Sequence, residues 1–271
     1  MAHELAMIGA GAMAEAIARG IVSAGTLKAN QIIAADLSIQ RRELFQTELG
    51  ITAVERAEDA VRGAKILMLC VKPYQMEAVL EEIWPDVDEK TLVISIAAGI
   101  GTALIEKKLG RGKPRRVIRS MPNTPMLVGC GMVAIAPGAH ATDEDLAAAR
   151  RLFESGAKVL QTTEAKMDAV TAISGSGPAY FFFLTEQMIR AGMDLGLAAE
   201  EARTLAIETA AGAAKMMNDS SDSPEEHRRK VTTPNGTTHA AISHLEERDW
   251  PRITVEALKA AARRSAEMGK A

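Results

Sequence analysis

Short apolar runs alternate with amphipathic segments through the first half of the chain. The runs consist mostly of Ile, Leu, Val and Ala, and a segment with helical spacing follows each of them. This alternation predicts a parallel sheet with helices on both faces, because strands covered on both faces are apolar throughout. The predicted elements are the strands Leu5–Ile8, Gln31–Ala35, Lys65–Val71 and Thr91–Ile96, and the helices Ala12–Ala24 and Ile39–Leu49.

The pattern changes near Thr163, and the segments after it have the spacing of helices. We therefore expect two domains, a doubly wound α/β domain over residues 1–163 and an all-α domain over residues 164–271. The segment 198–217 is rich in small side chains, which favours close packing of two helices. The helices predicted in the second domain are Glu164–Ile173, Ser176–Leu195, Ala198–Asn218, Pro224–Val231, Thr237–Glu247 and Pro251–Met268.

The aromatic residues are few and unevenly placed. There are nine in the chain, and four of them follow one another at Tyr180–Phe183. Consecutive helical positions point in all directions, so this helix is apolar nearly all round. It needs cover either from a partner subunit or as the central helix of one monomer. Because the all-α domain is small, we expect an oligomer.

Composition restricts the possible partners. A formal charge of −3 and a pI of about 6.0 give no general attraction to nucleic acids or anionic membranes. The longest uncharged stretch, Ser120–Thr142, is interrupted by Pro and Gly and does not fit a membrane helix. We expect a cytoplasmic protein without nucleic-acid or membrane partners. Cys70 and Cys130 have small or apolar neighbours, which predicts buried thiols.

A glycine-rich turn follows the first predicted strand and opens the first helix. Gly9 permits a tight turn, and Gly11 lets the backbone approach a pyrophosphate. The helix that begins with Ala12 and Met13 would hold this anion at its N-terminus, where free N–H groups and the helix dipole favour negative charge. The context predicts a Rossmann-like dinucleotide-binding domain.

The end of the second strand carries conflicting signals about the cofactor ribose. Asp36 lies where an acidic residue binds the ribose hydroxyls of NAD. Ser38, Arg41 and Arg42 instead suit the 2′-phosphate of NADP, although both arginines also fit a solvated helix surface. The residues leave both cofactors open, with NADP(H) favoured and NAD(H) as the alternative.

Three further loops are predicted to complete the cofactor site, because open α/β sheets bind ligands at the carboxyl ends of their strands. One loop offers a lysine, which is otherwise a surface lysine, and the second offers small residues that leave room for a flat ring. The third is a proline-punctuated turn with hydrogen-bonding side chains. The residues predicted to bind cofactor here are Val71, Lys72, Pro73, Ala97, Ala98, Gly99, Asn123 and Thr124.

Two polar segments stand out in the helical half. Ser174–Gly177 is predicted to join two helices, either as a simple cap or as an anion site. Thr232–Thr238 contains an Asn-Gly turn before a helix, and its exposed amides and hydroxyls suit a small carboxylate. The five histidines show no metal-ligand spacing, so we expect no metal.

Taken together, these motifs resemble the pyrroline-5-carboxylate reductases over the whole chain. The resemblance implies reduction of 1-pyrroline-5-carboxylate to L-proline by NAD(P)H, the last step of proline biosynthesis. It also implies a homodimer with intertwined helical domains, often assembled into a decamer, in which the partner subunit completes the substrate pocket. The motifs are GxGxMA at 9–14, VKP at 71–73, SIAAG at 95–99, RSMPNTP at 119–125, SGSGPAYF at 174–181 and TTPNGTT at 232–238.

The resemblance also implies roles for individual residues. Thr238 looks like the threonine that hydrogen-bonds the ring nitrogen of the substrate, and we expect it to be the catalytic residue. The backbone of 235–237 looks like the carboxylate site, and Glu164 matches a position near the substrate. The residues predicted to bind the substrate, a cyclic imine carboxylate, are Glu164, Ser176, Gly177, Thr233, Asn235, Gly236, Thr237 and Thr238.

The chain departs from the family pattern at two places. The family commonly has Asn where this chain has Ala12, and another Asn near the helix after the third strand, where this chain has Arg56, Ala57 and Glu58. Both changes remove polar contacts to the cofactor. They bear on cofactor affinity and preference, and not on the reaction.

The expected mechanism is hydride transfer to the C5=N carbon of the imine, with Thr238 and the loop amides fixing the geometry. No residue is an evident general acid, so we expect solvent to supply the proton on nitrogen. Two alternatives remain. One is another imine reductase or a β-hydroxyacid or ketopantoate-type reductase, for which Lys166 is the nearest catalytic lysine, and the other is a non-catalytic NADP-binding sensor.

Overall fold

The computed structural model describes residues 3–269, which divide into two compact units. The first unit contains residues 3–176 together with 261–269, and the second is Gly177–Ala260. The last part of the chain therefore returns to the first unit. The domain boundary predicted after residue 163 stays a prediction.

The first unit contains an eight-stranded sheet with the order β3-β2-β1-β4-β5-β6-β7-β8. Every neighbouring pair is parallel except β6 and β7. The order of strands reverses between β1 and β4, which is the position where open α/β sheets bind ligands. The strands are β1 (Leu5–Ile8), β2 (Ile32–Ala35), β3 (Thr52–Val54), β4 (Ile66–Leu69), β5 (Leu92–Ser95), β6 (Val117–Met121), β7 (Gly131–Pro137) and β8 (Ala157–Gln161).

The predicted doubly wound α/β fold is confirmed, and the four predicted strands occur within two residues of their predicted ends. The prediction of a parallel sheet is wrong for one pair of strands, β6 and β7, which are antiparallel. Only the short 3₁₀ turn Thr124–Val128 connects β6 to β7, and this connection is too short for the crossover that a parallel pair requires. No strand is predicted from the sequence for β3, which has three residues, for the exposed edge strand β8, or for β6 and β7.

Helices cover both faces of the sheet. Along β1, Leu5 and Met7 belong to one buried core, and Ala6 and Ile8 belong to the other, as the two-residue period of a strand requires. The first core includes side chains of α1, α2 and α6, and the second includes side chains of α3, α4 and α5. These helices are α1 (Ala12–Ser23), α2 (Ile39–Leu49), α3 (Ala57–Val61), α4 (Met76–Ile83), α5 (Thr102–Gly110) and α6 (Asp143–Phe153).

The rest of the chain is helical, as predicted. It begins with a 3₁₀ turn at Glu164–Lys166 and continues with α7 (Met167–Val170), a π-helical turn at Thr171–Gly175, α8 (Gly177–Asp194), α9 (Ala199–Asp219), α10 (Pro224–Lys230), α11 (Thr237–Glu247) and α12 (Trp250–Met268). The segment 174–177 is thus not a loop between two helices, because residues 171–175 keep a helical path with a wider turn. Such π turns frequently occur at functional sites.

Within the second unit, α8 and α9 approach closely. A Cβ atom on Gly192 would lie 2.9 Å from the Cβ of Ala202, which is 2% exposed. The aromatic positions of α8 face outward in the single chain, since Phe181, Phe182 and Phe183 are 62%, 67% and 61% exposed. A central helix buried within one monomer is therefore not what the chain forms.

The two cysteines differ in their exposure to solvent. Cys70 is partly buried, and burial raises the pKa of its thiol. The predicted burial of Cys130 is wrong: it is exposed, because it follows the left-handed Gly129 that ends a 3₁₀ turn before β7 begins. Over residues 3–269, no helix is both long and apolar enough to cross a bilayer.

Candidate active site

The turn after β1 has the geometry of a pyrophosphate cradle. Gly9 has φ of +95°, and a Cβ atom there would lie 3.0 Å from the carbonyl carbon and oxygen of Cys70, so β1 and β4 approach closely only with glycine. Gly11 precedes α1 with an extended backbone, and a Cβ atom on it would meet no atom within 4 Å. Open space thus faces the first N–H groups of α1, which lack intrahelical partners. These residues fit a dinucleotide.

A cavity of about 390 Å³ lies at this switch point of the sheet. It brings together five of the predicted cofactor residues: Gly9, Gly11, Asp36, Val71 and Lys72. Its lining also includes charged residues that the sequence reasoning did not assign to the site, namely Glu55 and Glu82, and it includes Arg56 and Glu58, which were recognised only as a departure from the family. Glu55 and Arg56 directly follow β3, and recognising that short strand would have placed them at the carboxyl edge of the sheet.

The carboxylate of Asp36 links this turn to the loop after β2. Its Oδ2 accepts a hydrogen bond from the Ala10 N–H at 2.7 Å, and its Oδ1 accepts one from the Ser38 N–H at 2.8 Å. The Ser38 hydroxyl caps α2 by accepting from the Arg41 N–H at 3.4 Å. Asp36 therefore lies in the cavity, whereas the Ser38 side chain is the N-cap of α2.

Arg41 is held beside the turn by other groups. Its Nε donates to the Ala10 carbonyl oxygen at 2.5 Å, and its Nη2 donates to Glu15 Oε2 at 2.8 Å. Burial alone would raise the pKa of Glu15, but the hydrogen bonds from Arg41 and Arg19 outweigh it and lower that pKa. Ala12, Met13, Ser38 and Arg41 adjoin the cavity without being among its lining residues in the described part of the chain.

Two carboxyl groups share one end of the cavity. Arg56 pairs with Glu58 through its Nε at 2.8 Å and through Nη2, and this lowers the pKa of Glu58 to about 2. Partial burial, with a hydrogen bond to the neighbouring Glu58 carboxylate, raises the pKa of Glu82. The Arg56 guanidinium is thus neutralised by its own neighbour.

The turn after β5 packs against the end of α12. Gly99 has φ of +77°, and a Cβ atom there would lie 2.9 Å from the carbonyl oxygen of Ser265 and from the Cβ of Met268. Ala97 and Gly99 are buried, and Ala98 is half-buried. Pro73 lines a neighbouring cavity of about 600 Å³ with residues that include Tyr74, Ile100 and Met268. The sequence did not predict that the last helix supports this loop.

Asn123 ties the loop after β6 to its surroundings. Its Oδ1 accepts from the Met132 N–H at 2.9 Å, and its Nδ2 donates to the carbonyl oxygen of Ser174 at 3.3 Å. The amide therefore connects this loop to the π-helical turn. Thr124 is exposed as the first residue of the adjacent 3₁₀ turn.

A buried cation organises the start of the helical segment. Arg119 on β6 is 7% exposed at its side chain, and its Nη1 donates to Glu164 Oε1 at 2.9 Å. Its Nη2 lies 3.5 Å from Asp168 Oδ1, which also accepts from the Ser265 hydroxyl at 2.7 Å. Glu164 Oε1 additionally accepts from the Thr102 N–H at 3.3 Å. Glu164 is thus anchored on β6 and α5 within the first unit.

The second unit holds the polar turn before α11. Asn235 has φ of +60°, and a Cβ atom on Gly236 would lie 2.6 Å from Thr233 Oγ1, so the turn needs glycine there. Gly236 has no side chain that could accept a hydrogen bond from the first N–H groups of α11. These N–H groups therefore have no side-chain cap. Thr238 is half-buried in that first turn, whereas Thr233, Asn235 and Thr237 are exposed.

The remaining predicted substrate residues lie where the π-helical turn meets α8. The Ser176 N–H donates to the Thr171 carbonyl oxygen at 2.8 Å, and Gly177 is buried. Across residues 3–269, no group of three His, Cys, Asp or Glu side chains is placed to hold a metal ion.

Comparisons with known proteins agree with this architecture. A sequence profile described as "Pyrroline-5-carboxylate reductase dimerisation" matches residues 164–268, and one described as "NADP oxidoreductase coenzyme F420-dependent" matches residues 4–99. The pyrroline-5-carboxylate reductase of Pseudomonas aeruginosa is 42% identical over 98% of this chain and 97% of its own length. That of Arabidopsis thaliana is 36% identical over 98% and 96%.

Solved structures lead to the same group. A pyrroline-5-carboxylate reductase from Coxiella burnetii has a TM-score of 0.90 at 33% identity and covers 100% of both chains. The Plasmodium falciparum pyrroline carboxylate reductase, solved with NADP bound, has a TM-score of 0.88 at 28% identity over 98% of each chain. With relatives of this similarity along its full length, the chain belongs to the pyrroline-5-carboxylate reductase family.

Proposed function

We propose that the protein reduces 1-pyrroline-5-carboxylate to L-proline by hydride transfer from a nicotinamide dinucleotide, the last step of proline biosynthesis. The full-length match to enzymes named for this reaction carries the proposal. Two features of the structure support it independently. One is the dinucleotide cradle at Gly9 and Gly11, and the other is the turn before α11, whose unpaired amides suit a carboxylate.

The residues around the cavity after β1 and β4 would hold the cofactor. Gly9 and Gly11 leave the N-terminus of α1 free for the pyrophosphate, and Asp36 faces the same cavity. The turn at Ala97–Gly99 offers only small side chains at the carboxyl edge of β5. When bound, the dinucleotide supplies the hydride. The sequence-based preference for NADP(H) stays a prediction at this point.

The turn before α11 would hold the substrate. The Gly236 N–H already donates to the Thr233 carbonyl oxygen at 3.0 Å, so the N–H groups of Asn235 and Thr237 are the ones that would bind the carboxylate. The positive φ of Asn235 shapes this turn, and the positive end of α11 favours a carboxylate. The Thr238 hydroxyl lies one residue further on and would hydrogen-bond the ring nitrogen. Holding both ends of the imine fixes the face that receives the hydride.

The proton on the imine nitrogen would come from solvent. Hydroxyls are poor acids, and the neighbouring side chains of the turn are threonines and an asparagine. Glu164 Oε1 accepts from Arg119 and Thr102, and its role at the substrate stays a prediction. In this proposal Thr238 positions the nitrogen, and no protein acid is required.

Self-association accompanies this function. Residues 164–268 match a dimerisation region, and α8 exposes Phe181, Phe182 and Phe183 in the single chain. Large aromatic side chains exposed on several sides of one helix are typical of a helix that a partner subunit covers. We propose a homodimer in which these side chains are covered. A decamer and a cytoplasmic location stay predictions.

The experiment is a steady-state assay of the purified protein with 1-pyrroline-5-carboxylate, following the absorbance of NADH and of NADPH. We expect oxidation of at least one cofactor with stoichiometric formation of proline. Thr238→Ala should lower kcat roughly 10- to 100-fold through loss of one hydrogen bond to the reacting ring, and Thr238→Ser should restore much of it. Thr47→Ala, on the exposed side of α2, is the matched control and should leave kcat unchanged.

Other results would support the alternatives. Binding of cofactor without oxidation by any imine would favour a sensor. Turnover of β-hydroxyacids that is lost in Lys166→Ala, and not in Thr238→Ala, would favour a hydroxyacid reductase. Lys166 lies exposed in the 3₁₀ turn before α7, and the turn before α11 would then have no role.

A further inference from the structure

The part of the cofactor cavity around Asp36, at the carboxyl end of β2, is here called the ribose corner. The Asp36 carboxylate is held in one orientation by backbone hydrogen bonds. Asp36 Oδ2 and Oδ1 each accept one backbone hydrogen bond, from Ala10 at 2.7 Å and from Ser38 at 2.8 Å. Each carboxylate oxygen has two acceptor positions, so both oxygens can still accept from a hydroxyl. The carboxylate is therefore oriented in advance to receive ribose hydroxyls at the carboxyl end of β2.

The arginines that would suit a 2′-phosphate are occupied elsewhere. Arg41 donates to the Ala10 carbonyl oxygen and to Glu15, which lies on α1. Arg42 donates through Nη1 to the carbonyl oxygens of Asp36 at 2.8 Å and Leu37 at 2.9 Å. Neither guanidinium is among the residues that line the cavity in the described part of the chain. The donors of both guanidinium groups are used to hold the backbone around Asp36, and they are not directed at a phosphate in the cavity.

Carboxyl groups outnumber cations around the cavity, with four carboxyl residues and two cations in its lining. Arg56 of the lining is paired with Glu58, and Glu55 is paired with Arg42. Neither of these arginines is therefore free to compensate the charge of Asp36. A 2′-phosphate would add about −1.5 to −2 charges to this surface at neutral pH. Juxtaposed like charges in a partly enclosed site are costly, whereas a free ribose hydroxyl would donate to the carboxylate. The charged residues of the lining are Asp36, Glu55, Arg56, Glu58, Lys72 and Glu82.

From these contacts we propose that the cavity selects NAD(H) over NADP(H), with Asp36 as the specificity-determining residue and Glu15 holding Arg41 away from the ribose. This reverses the preference expected from residue types alone. It rests on the proposed function only for the identity of the substrate, because discrimination between the two dinucleotides is a property of binding. The inference concerns the ribose corner and leaves the hydride step unchanged.

The test measures binding and turnover separately on the full-length protein. The dissociation constants of NADH and NADPH come from titrations followed by their fluorescence, and kcat/KM for each is measured with 1-pyrroline-5-carboxylate. We expect NADH to bind at least about tenfold more tightly than NADPH, with the same order in kcat/KM. Equal binding, or tighter binding of NADPH, would overturn the inference even if the reaction proceeds.

Three variants assign the cause. Asp36→Asn keeps an amide oxygen for one backbone N–H and removes the charge, so NADPH should bind about tenfold more tightly than in the unaltered protein. Glu15→Gln releases Arg41 and should strengthen NADPH binding while leaving NADH binding within about twofold. Glu43→Gln, an exposed position on α2, makes the same change of charge and should alter neither constant.

The outcomes separate this inference from the proposed function. Discrimination without oxidation by the imine would retain the inference and reject the function. Oxidation of both cofactors by the imine, with equal affinity for the two, would support the proposed function and reject the inference. If Asp36→Asn fails to fold, as judged by circular dichroism, the unaltered protein and Glu15→Gln still decide: an unchanged NADPH affinity in Glu15→Gln contradicts the role given to Arg41.

Discussion

The buried cation Arg119 is the position at which a single change should disturb both stability and substrate handling. Its guanidinium lies between the carboxylates of Glu164 and Asp168, at 2.9 and 3.5 Å. Arg119→Met keeps an apolar stem of similar length and removes the charge. Two carboxylates are then left together, and Glu164 Oε2 is already a buried atom without a hydrogen-bond partner in residues 3–269.

The magnitude follows from the burial of the three side chains. Removing one partner of a fully buried ion pair costs roughly 3–5 kcal/mol. Glu164 and Asp168 are 35% and 37% exposed, so water screens part of the remaining repulsion. We therefore expect a loss of about 2–3 kcal/mol in the free energy of unfolding, or roughly 30- to 150-fold in the equilibrium constant. For units of this size the Tm should fall by about 4–12 °C.

The assay is thermal and urea unfolding followed by circular dichroism at one protein concentration. Arg252→Met is the matched control, because Arg252 is 59% exposed and, like Arg119, pairs with two carboxylates, here the exposed Asp249 and Glu256. An exposed pair contributes about 0–1 kcal/mol, so this control should lower the Tm by no more than a few degrees. If the two variants lose the same stability, the burial argument for Arg119 is refuted.

A rescue experiment separates lost charge from lost packing. Adding Glu164→Gln and Asp168→Asn to Arg119→Met removes the unpaired carboxylates and should recover at least half of the lost stability. Since Glu164 is a proposed substrate residue, Arg119→Met should also raise KM for the imine more than it raises KM for the cofactor. No recovery in the triple variant would attribute the loss to packing of the arginine stem.

Three more predictions follow from single contacts. Gly9→Ala should weaken cofactor binding more than tenfold, because the added Cβ would meet the Cys70 backbone. Gly25→Ala is the control: Gly25 also has a positive φ, of +69°, but a Cβ there would have no atom within 4 Å, so the change adds only backbone strain. Equal effects of the two variants in cofactor titrations would contradict this. Iodoacetamide should modify Cys130 before Cys70, since burial raises the pKa of the Cys70 thiol; peptide mass spectrometry at short times would show the reverse order if the reasoning fails. Partial desolvation and the neighbouring Glu58 raise the pKa of Glu82, so ionising it costs stability as pH rises through that pKa. Because Glu82 is exposed, solvent screens most of this cost, and Glu82→Gln should raise the Tm only slightly at pH 7 and not at pH 4. Equal shifts at both pH values would refute this reasoning.

The central strands of the sheet were predictable because a strand that is buried on both faces is apolar at every position. Apolar runs such as Ile66–Leu69 are required wherever helices cover both faces of a strand, and the Gly9–Gly11 turn is required wherever a backbone approaches a pyrophosphate. The short strand β3 and the edge strand β8 leave weaker records. β3 has only three residues, and β8 is solvent-exposed at alternate positions.

The contacts of the site were less predictable because they join residues far apart in the chain. Arg119 and Glu164 are separated by 45 positions, and Ser265 and Asp168 by 97. No local periodicity connects such residues. The helical path through Thr171–Gly175 was missed for a different reason: glycine and serine favour turns and caps, and the tertiary contact from Asn123 opposes that local preference.

Arg41 shows most clearly why residue types alone do not determine cofactor preference. A guanidinium near the end of β2 can bind a phosphate only if its donors are free, and here the Ala10 carbonyl and Glu15 take them. Glu15 lies on α1, 26 positions before Arg41, so the competition is visible only once α1 and α2 are placed side by side. The same residues with a neutral side chain at position 15 would leave Arg41 available to a 2′-phosphate. The preference therefore depends on a pair of residues, and the Glu15→Gln variant tests that pair without altering any residue that lines the cavity.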